Sequence, residues 1–245
     1  MLDYLLTALI PFVLGFTALW GNKKNEECSN FMSKDYTCVL KACCCIIVIM
    51  VHIPIDVGNK LQDAIGSFAY VAVTFFFLFS AYGMNLSVNR KSNYLDDFWR
   101  NRLSALLIPC MIINISKYIF DIVFVHEENI ITLLQLNGYV IVLLQYCLLF
   151  WIVQKGRKLY SENTANIILI VCVIISSLIL YFLTFKEISA ESGWCFERVG
   201  LVWGILLLSK FSIIKRWLSP NPMKISILLF SCVILGILYL NFKHV

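Results

Sequence analysis

The chain has 245 residues, of which 60% are hydrophobic and 14% charged, with a mean hydropathy of +0.81 and a net charge of +5. A soluble domain carries roughly 45–50% apolar and about 25% charged residues, so this composition excludes a water-soluble enzyme, a nucleic-acid-binding module and a disordered chain. The basic excess falls in alternate loops, as membrane orientation requires, and calls for no polyanionic partner.

A helix rising about 1.5 Å per residue needs about 20 mainly apolar residues to cross about 30 Å of hydrocarbon. In chain order, eight segments reach or approach that length: Tyr4–Trp20, Val39–Ile55, Phe68–Leu86, Leu106–Val125, Leu136–Val153, Ala165–Phe185, Trp194–Leu208 and Ile225–Phe242. The seventh is the weakest, because Glu197 and Arg198 interrupt it. The first has Asp3 where a signal sequence carries positive charge, and no small-residue cleavage site, so it reads as a helix. Linkers are short and no internal repeat is visible, which predicts an all-α, polytopic integral membrane protein with a single membrane domain over residues 1–245. Within it, an extra N-terminal helix and loop (1–31) precede a helical core (32–245).

Cytoplasmic loops retain Lys and Arg. The first, third, fifth and seventh loops hold most of them, with Lys23, Lys24, Arg90, Lys91, Arg100, Arg102, Arg157 and Lys215 among the set, whereas the other side offers only Lys60, Lys186 and Lys243. Both termini are therefore predicted outside the cytoplasm. The ten cysteines show no CxxC pairing and fall mostly within apolar runs, where a thiol acts as a small hydrophobe, so no metal site is expected.

An ionisable side chain at mid-membrane costs at least about 2.5–3.5 kcal/mol and therefore needs a partner, a cavity or a role. Lys41 and His52 lie in the second segment, eleven residues apart. That spacing puts them on one helix face, about 16 Å apart along the axis. Asp56 joins the face if the helix continues past Pro54. One reading makes these residues the ends of a polar path, with His52 accepting a proton from an attacking hydroxyl and Asp56 orienting it. The other has Lys41 snorkel to headgroups, with His52 and Asp56 merely interfacial. Lys117 and Asp121, four apart, read as a self-neutralised pair or as a cavity lining. A polar interior suits at least one of Glu197 and Arg198. Arg100 and Arg102 beside Trp99 either grip the phosphates of a nucleotide-bearing donor or anchor the helix at the interface.

Lys41 followed by ten residues and His52 resembles the (R/K)-X10-H motif of the acyltransferase family 3 membrane proteins. Val73-Thr-Phe-Phe-Phe-Leu-Phe-Ser80-Ala-Tyr-Gly-Met resembles that family's FF-x-x-SG-[FY] helix, with Ser80-Ala81 in place of SG. Phe98-Trp-Arg-Asn-Arg102 through Pro109 resembles its basic loop and helix entrance, and Asn137-Gly-Tyr-Val-Ile-Val-Leu-Leu-Gln-Tyr its W/Y-rich fifth helix. The resemblance runs from about residue 32 to 155 and implies a compact or truncated member, with eight helices rather than about ten.

What the resemblance implies is transfer of an acyl group, commonly acetyl, from cytoplasmic acyl-CoA to a hydroxyl of a cell-surface glycan or lipid-linked sugar. His52 would be catalytic, as the base that deprotonates the acceptor hydroxyl or as a transient acyl carrier, assisted by Lys41 and Asp56, with Arg102, Arg100 and Ser80 toward the donor and no metal. The implied surroundings are the lipid bilayer of a bacterial inner membrane, with no nucleic acid involved. Two other functions compete with it: a transporter or ion relay through Lys41, His52, Asp56, Lys117 and Asp121, and a degenerate family member kept as a partner subunit.

Overall fold

The computed structural model describes residues 32–52, 68–126, 129–187 and 197–218, together with 5, 9, 12, 13 and 16. Every regular element among them is helical: α1 (Lys34–His52), α2 (Ala69–Arg90), α3 (Phe98–Phe120), α4 (Ile131–Leu134), α5 (Gly138–Lys155), α6 (Glu162–Glu187), α7 (Val199–Ser209) and α8 (Phe211–Leu218). Four helical stretches are long and apolar enough to cross a membrane: Ala69–Arg90, Phe98–Val125, Ile131–Lys155 and Glu162–Leu183.

The helices overrun the apolar segments at their polar ends. Hydropathy registers only what lipid accepts, whereas backbone hydrogen bonding continues until a cap stops it. The Ser33 hydroxyl accepts the Tyr36 N–H at 3.2 Å to start α1, and the Asn137 carboxamide oxygen accepts the Tyr139 N–H at 2.9 Å to start α5. Of the seventh segment, Glu197 and Arg198 form a turn and Val199–Ser209 an 11-residue helix, while its first three residues lie outside the described residues. The eighth segment lies outside the described residues. Of the first, Leu5, Leu9, Phe12, Val13 and Phe16 are helical, and they fall on one stripe.

The chain divides into two compact units, one of residues 1–79 and 206–245, the other of residues 80–205. In the first, Phe77 and Phe79 of α2 are buried, and Cys44 is the buried member of the cysteine triplet on α1.

The second unit is built around α5, whose Tyr146, Cys147 and Phe150 are almost wholly buried. Phe150 stacks on Phe98 of α3 with centroids 5.7 Å apart, and the Cys147 thiol lies 3.8 Å from the Met84 sulfur of α2. Ala165 and Leu169 of α6 are fully buried, and α6 packs along α5. Small side chains permit such close approach between helices in lipid, where packing rather than water exclusion drives association. The Asn114 amide on α3 donates to the Leu133 and Gln135 carbonyls at 3.3 and 2.8 Å, satisfying backbone acceptors that end α4.

Beyond Phe120, α3 widens into a π turn, Asp121–Val125, closed by His126 in the left-handed region at φ 61°. Lys117 and Asp121 were expected to neutralise one another and do not reach ion-pair distance. The Asp121 N–H still bonds to the Lys117 carbonyl, so the backbone keeps the i,i+4 spacing and the separation lies in the side chains.

Candidate functional site

α1 is unbroken from Lys34 to His52, so Lys41, Cys45, Val48 and His52 form one axial stripe. At the start of the stripe the Lys41 ammonium stands 5.5 Å from the centroid of the Phe79 ring, a cation–π contact that orients the charge without neutralising it. At its end His52 is exposed, and its Nδ1 lies 2.8 Å from the Val48 carbonyl oxygen. A carbonyl can only accept, so Nδ1 carries the proton, and in the neutral ring the Nε2 lone pair is left as the basic site. Asp56, the third expected member, lies outside the described residues.

Arg102, Arg100 and Ser80, the residues expected toward a donor, belong to the other unit. Arg102 is half-buried: its Nη2 donates to the Tyr94 hydroxyl at 2.7 Å, and its guanidinium stands 5.9 Å from the centroid of the Phe98 ring. That bond uses one of the five N–H groups of the guanidinium. Arg100, two residues earlier, points about 200° away around the helix. Its side chain is 78% exposed and pairs with Asp97 at 3.0 Å, an i,i+3 bridge at the helix start. The two arginines therefore differ, Arg102 being held in the protein and Arg100 turned to the outside. Ser80 is half-buried on α2, beside the fully buried Ala81.

Three residues near Arg102 went unread in the sequence. Tyr94 sits in the turn before α3 and holds Arg102. Trp151 meets Trp99 edge to face with centroids 6.1 Å apart, and Lys155 places its ammonium 4.2 Å from the centroid of the Trp151 ring. Only the i,i+4 spacing of Trp151 and Lys155 was visible as a signal; the Trp99 contact joins two helices. The result is a cationic and aromatic ledge at the basic-loop end of α3 and α5, suited chemically to a phosphate and a flat ring.

A polar clamp stands at the same end. Arg157 donates to Asn89 at 2.9 Å and pairs with Glu162 at 2.5 Å, and the Asn89 amide donates to the second Glu162 oxygen at 2.8 Å. Gly156 precedes it because a Cβ there would come within 2.5 Å of the Tyr160 hydroxyl, which donates to the Val153 carbonyl. Arg157→Ala should cost about 1 kcal/mol, since the pair is partly exposed and screened. Thermal unfolding in detergent measures this, and an unchanged midpoint would remove the clamp from the stability account.

A family model described as an acyltransferase domain matches residues 36–244, more than four fifths of the chain. The match takes in Lys41, His52, Ser80, Arg100 and Arg102. No curated protein and no solved structure matches the chain. With the ordered helices, the Lys41–His52 stripe and the held Arg102 already in place, that match makes this chain a member of the acyltransferase family 3 of membrane proteins.

Proposed function

We propose that the protein is an O-acyltransferase that moves an acyl group, acetyl in the simplest case, from acyl-CoA on the cytoplasmic side of a cell membrane to a hydroxyl of a glycan or lipid-linked sugar. The observation that carries this reading is the 2.8 Å contact of His52 Nδ1 with the Val48 carbonyl oxygen, which leaves Nε2 uncommitted on the helix face shared with Lys41. In the proposed reaction Nε2 takes the proton of the acceptor hydroxyl as its oxygen attacks the thioester carbonyl. The carbon–sulfur bond breaks, the CoA thiolate leaves, and the imidazolium proton passes to that thiolate. The products are the ester and free CoA, and His52 returns to its starting tautomer.

Arg102 and the aromatic ledge are assigned to the donor, Arg102 by charge-assisted bonds to phosphate and the ledge by stacking. Lys41 keeps a positive charge on the face of α1 that it shares with His52. Both termini outside and eight spans belong to the same proposal, in which the segments at either end of the chain complete the helices described.

The test is transfer of radiolabelled acetyl from acetyl-CoA into glycan or lipid-linked material by membranes containing the chain. Label above membranes lacking it is the expected result; no label with several acyl donors and native glycan would overturn the reading. Arg102→Ala should raise the KM for acyl-CoA about tenfold or more, the worth of a charge-assisted bond, with a smaller change in kcat. Unchanged donor dependence would take Arg102 out of the donor site.

A further inference from the structure

The second unit has a half-open cavity of about 290 Å³ between α5, α6 and the start of α7. Its polar lining comes from Gln145 and Tyr146 on α5, Ser176 on α6 and Arg198 ahead of α7, while Leu149 and Leu201 contribute to an otherwise aliphatic wall. Gln145 and Ser176 lie near the midpoints of their helices, so the cavity sits at the depth where a spanning protein is farthest from water. Nothing in the acyl-transfer scheme uses it.

Arg198 is only 7% exposed and lines this space. Glu197, 6% exposed, is buried next to it but does not line the cavity. A guanidinium is a planar fork matched to the oxygens of phosphate or carboxylate, and it stays charged when buried. Arg198 also stands at the N-terminal end of α7, where the helix dipole adds positive potential. The Gln145 amide supplies a second kind of donor on the facing helix. Ligand pockets start near about 300 Å³, so the space holds a head group with the first part of a chain, not a whole glycolipid.

We propose that this cavity binds the phosphate head of an amphiphile, with Arg198 on the phosphate oxygens and the start of the chain along the aliphatic wall. The proposal rests on the chain being a membrane protein and is independent of whether His52 transfers acyl groups.

The experiment measures equilibrium binding of a radiolabelled long-chain alkyl phosphate to the full chain purified in neutral detergent, with the uncharged alcohol of the same chain as reference. The wild type should bind the phosphate at least tenfold more tightly than the alcohol. Arg198→Gln should equalise the two, Arg198→Lys should keep part of the preference, and Ser176→Phe should block binding by filling the space with Arg198 still present. Thermal unfolding checks each variant, and if Arg198→Gln does not fold, Ser176→Phe decides. Equal wild-type affinity for phosphate and alcohol, or a phosphate preference that survives Ser176→Phe, would overturn the proposal. Displacement by inorganic phosphate at the same concentrations would also overturn it, since the chain would then contribute nothing. Two-chain phosphatidate competing as well as the alkyl phosphate identifies a bilayer lipid as the source; its exclusion identifies a single-chain lipid carrier.

Discussion

His52→Ala should lower the rate of acyl transfer by about 10²–10⁴-fold, the usual contribution of a positioned general base, while leaving the amount of protein in the membrane unchanged. The second half of that expectation follows from its surroundings. His52 is exposed at the end of α1, and its ring bonds to the Val48 carbonyl of its own helix, so truncation leaves no cavity and no orphaned donor. His52→Gln separates base chemistry from simple hydrogen bonding, since an amide can donate to Val48 but cannot hold a proton. Glutamine should be as inactive as alanine. If Nε2 acts as the proposed base rather than as a nucleophile, wild-type reactions stopped at neutral pH, where an acyl-imidazole survives for minutes, should show no acyl group on the protein. Label trapped on the chain would make His52 a covalent carrier, and a rate that survives both substitutions would end its catalytic role.

Phe150→Ala should produce the largest stability loss of any single truncation in the second unit, about 3–5 kcal/mol. Phe150 is 0% exposed, stacks on Phe98 at 5.7 Å and lies 6.1 Å from the Tyr146 ring. Removing the ring deprives Phe98 of its stacking partner, and Phe98 is one of the two groups that hold Arg102. With Arg102 in its proposed donor role, the same substitution should also raise the KM for acyl-CoA. Phe75→Ala on α2, at a ring that is 40% exposed, is the matched control and should change the unfolding midpoint little. In lipid the exposed ring exchanges one apolar contact for another, whereas the buried one leaves a void. Equal midpoints for the two variants would show that the Phe150 site collapses freely.

Hydropathy made α2, α3, α5 and α6 legible, because each carries an apolar run long enough to declare itself whatever its neighbours do. Helical periodicity made the shared face of Lys41 and His52 legible too, since it needs only that α1 be unbroken. What stayed hidden depends on hydrogen-bond switching or on distant contacts. The π turn from Asp121 to Val125 replaces one backbone pattern by another with no residue type that announces it, and the Lys117 and Asp121 side chains stay apart although their backbone keeps the i,i+4 bond. Tyr94 reaches Arg102 from a turn, and Trp151 reaches Trp99 from another helix. Arg100 and Arg102 look alike as letters, and their opposite directions become informative only once Tyr94 and Phe98 show which side is protein. The His52 tautomer is set by a carbonyl, an atom every residue has.

The Asn89–Arg157–Glu162 clamp bears on how the second unit assembles. Its three members come from α2, the turn after α5 and the start of α6, and each bonds to the other two. Apolar helices in lipid have little to fix their vertical register, because sliding by one turn, about 5.4 Å, replaces one aliphatic contact by another. The clamp tolerates no such slip, since a one-turn displacement of α6 would separate both Glu162 oxygens from their partners at once. It acts as an index mark cut into otherwise smooth rods, read only when the α5–α6 hairpin has inserted to full depth against α2.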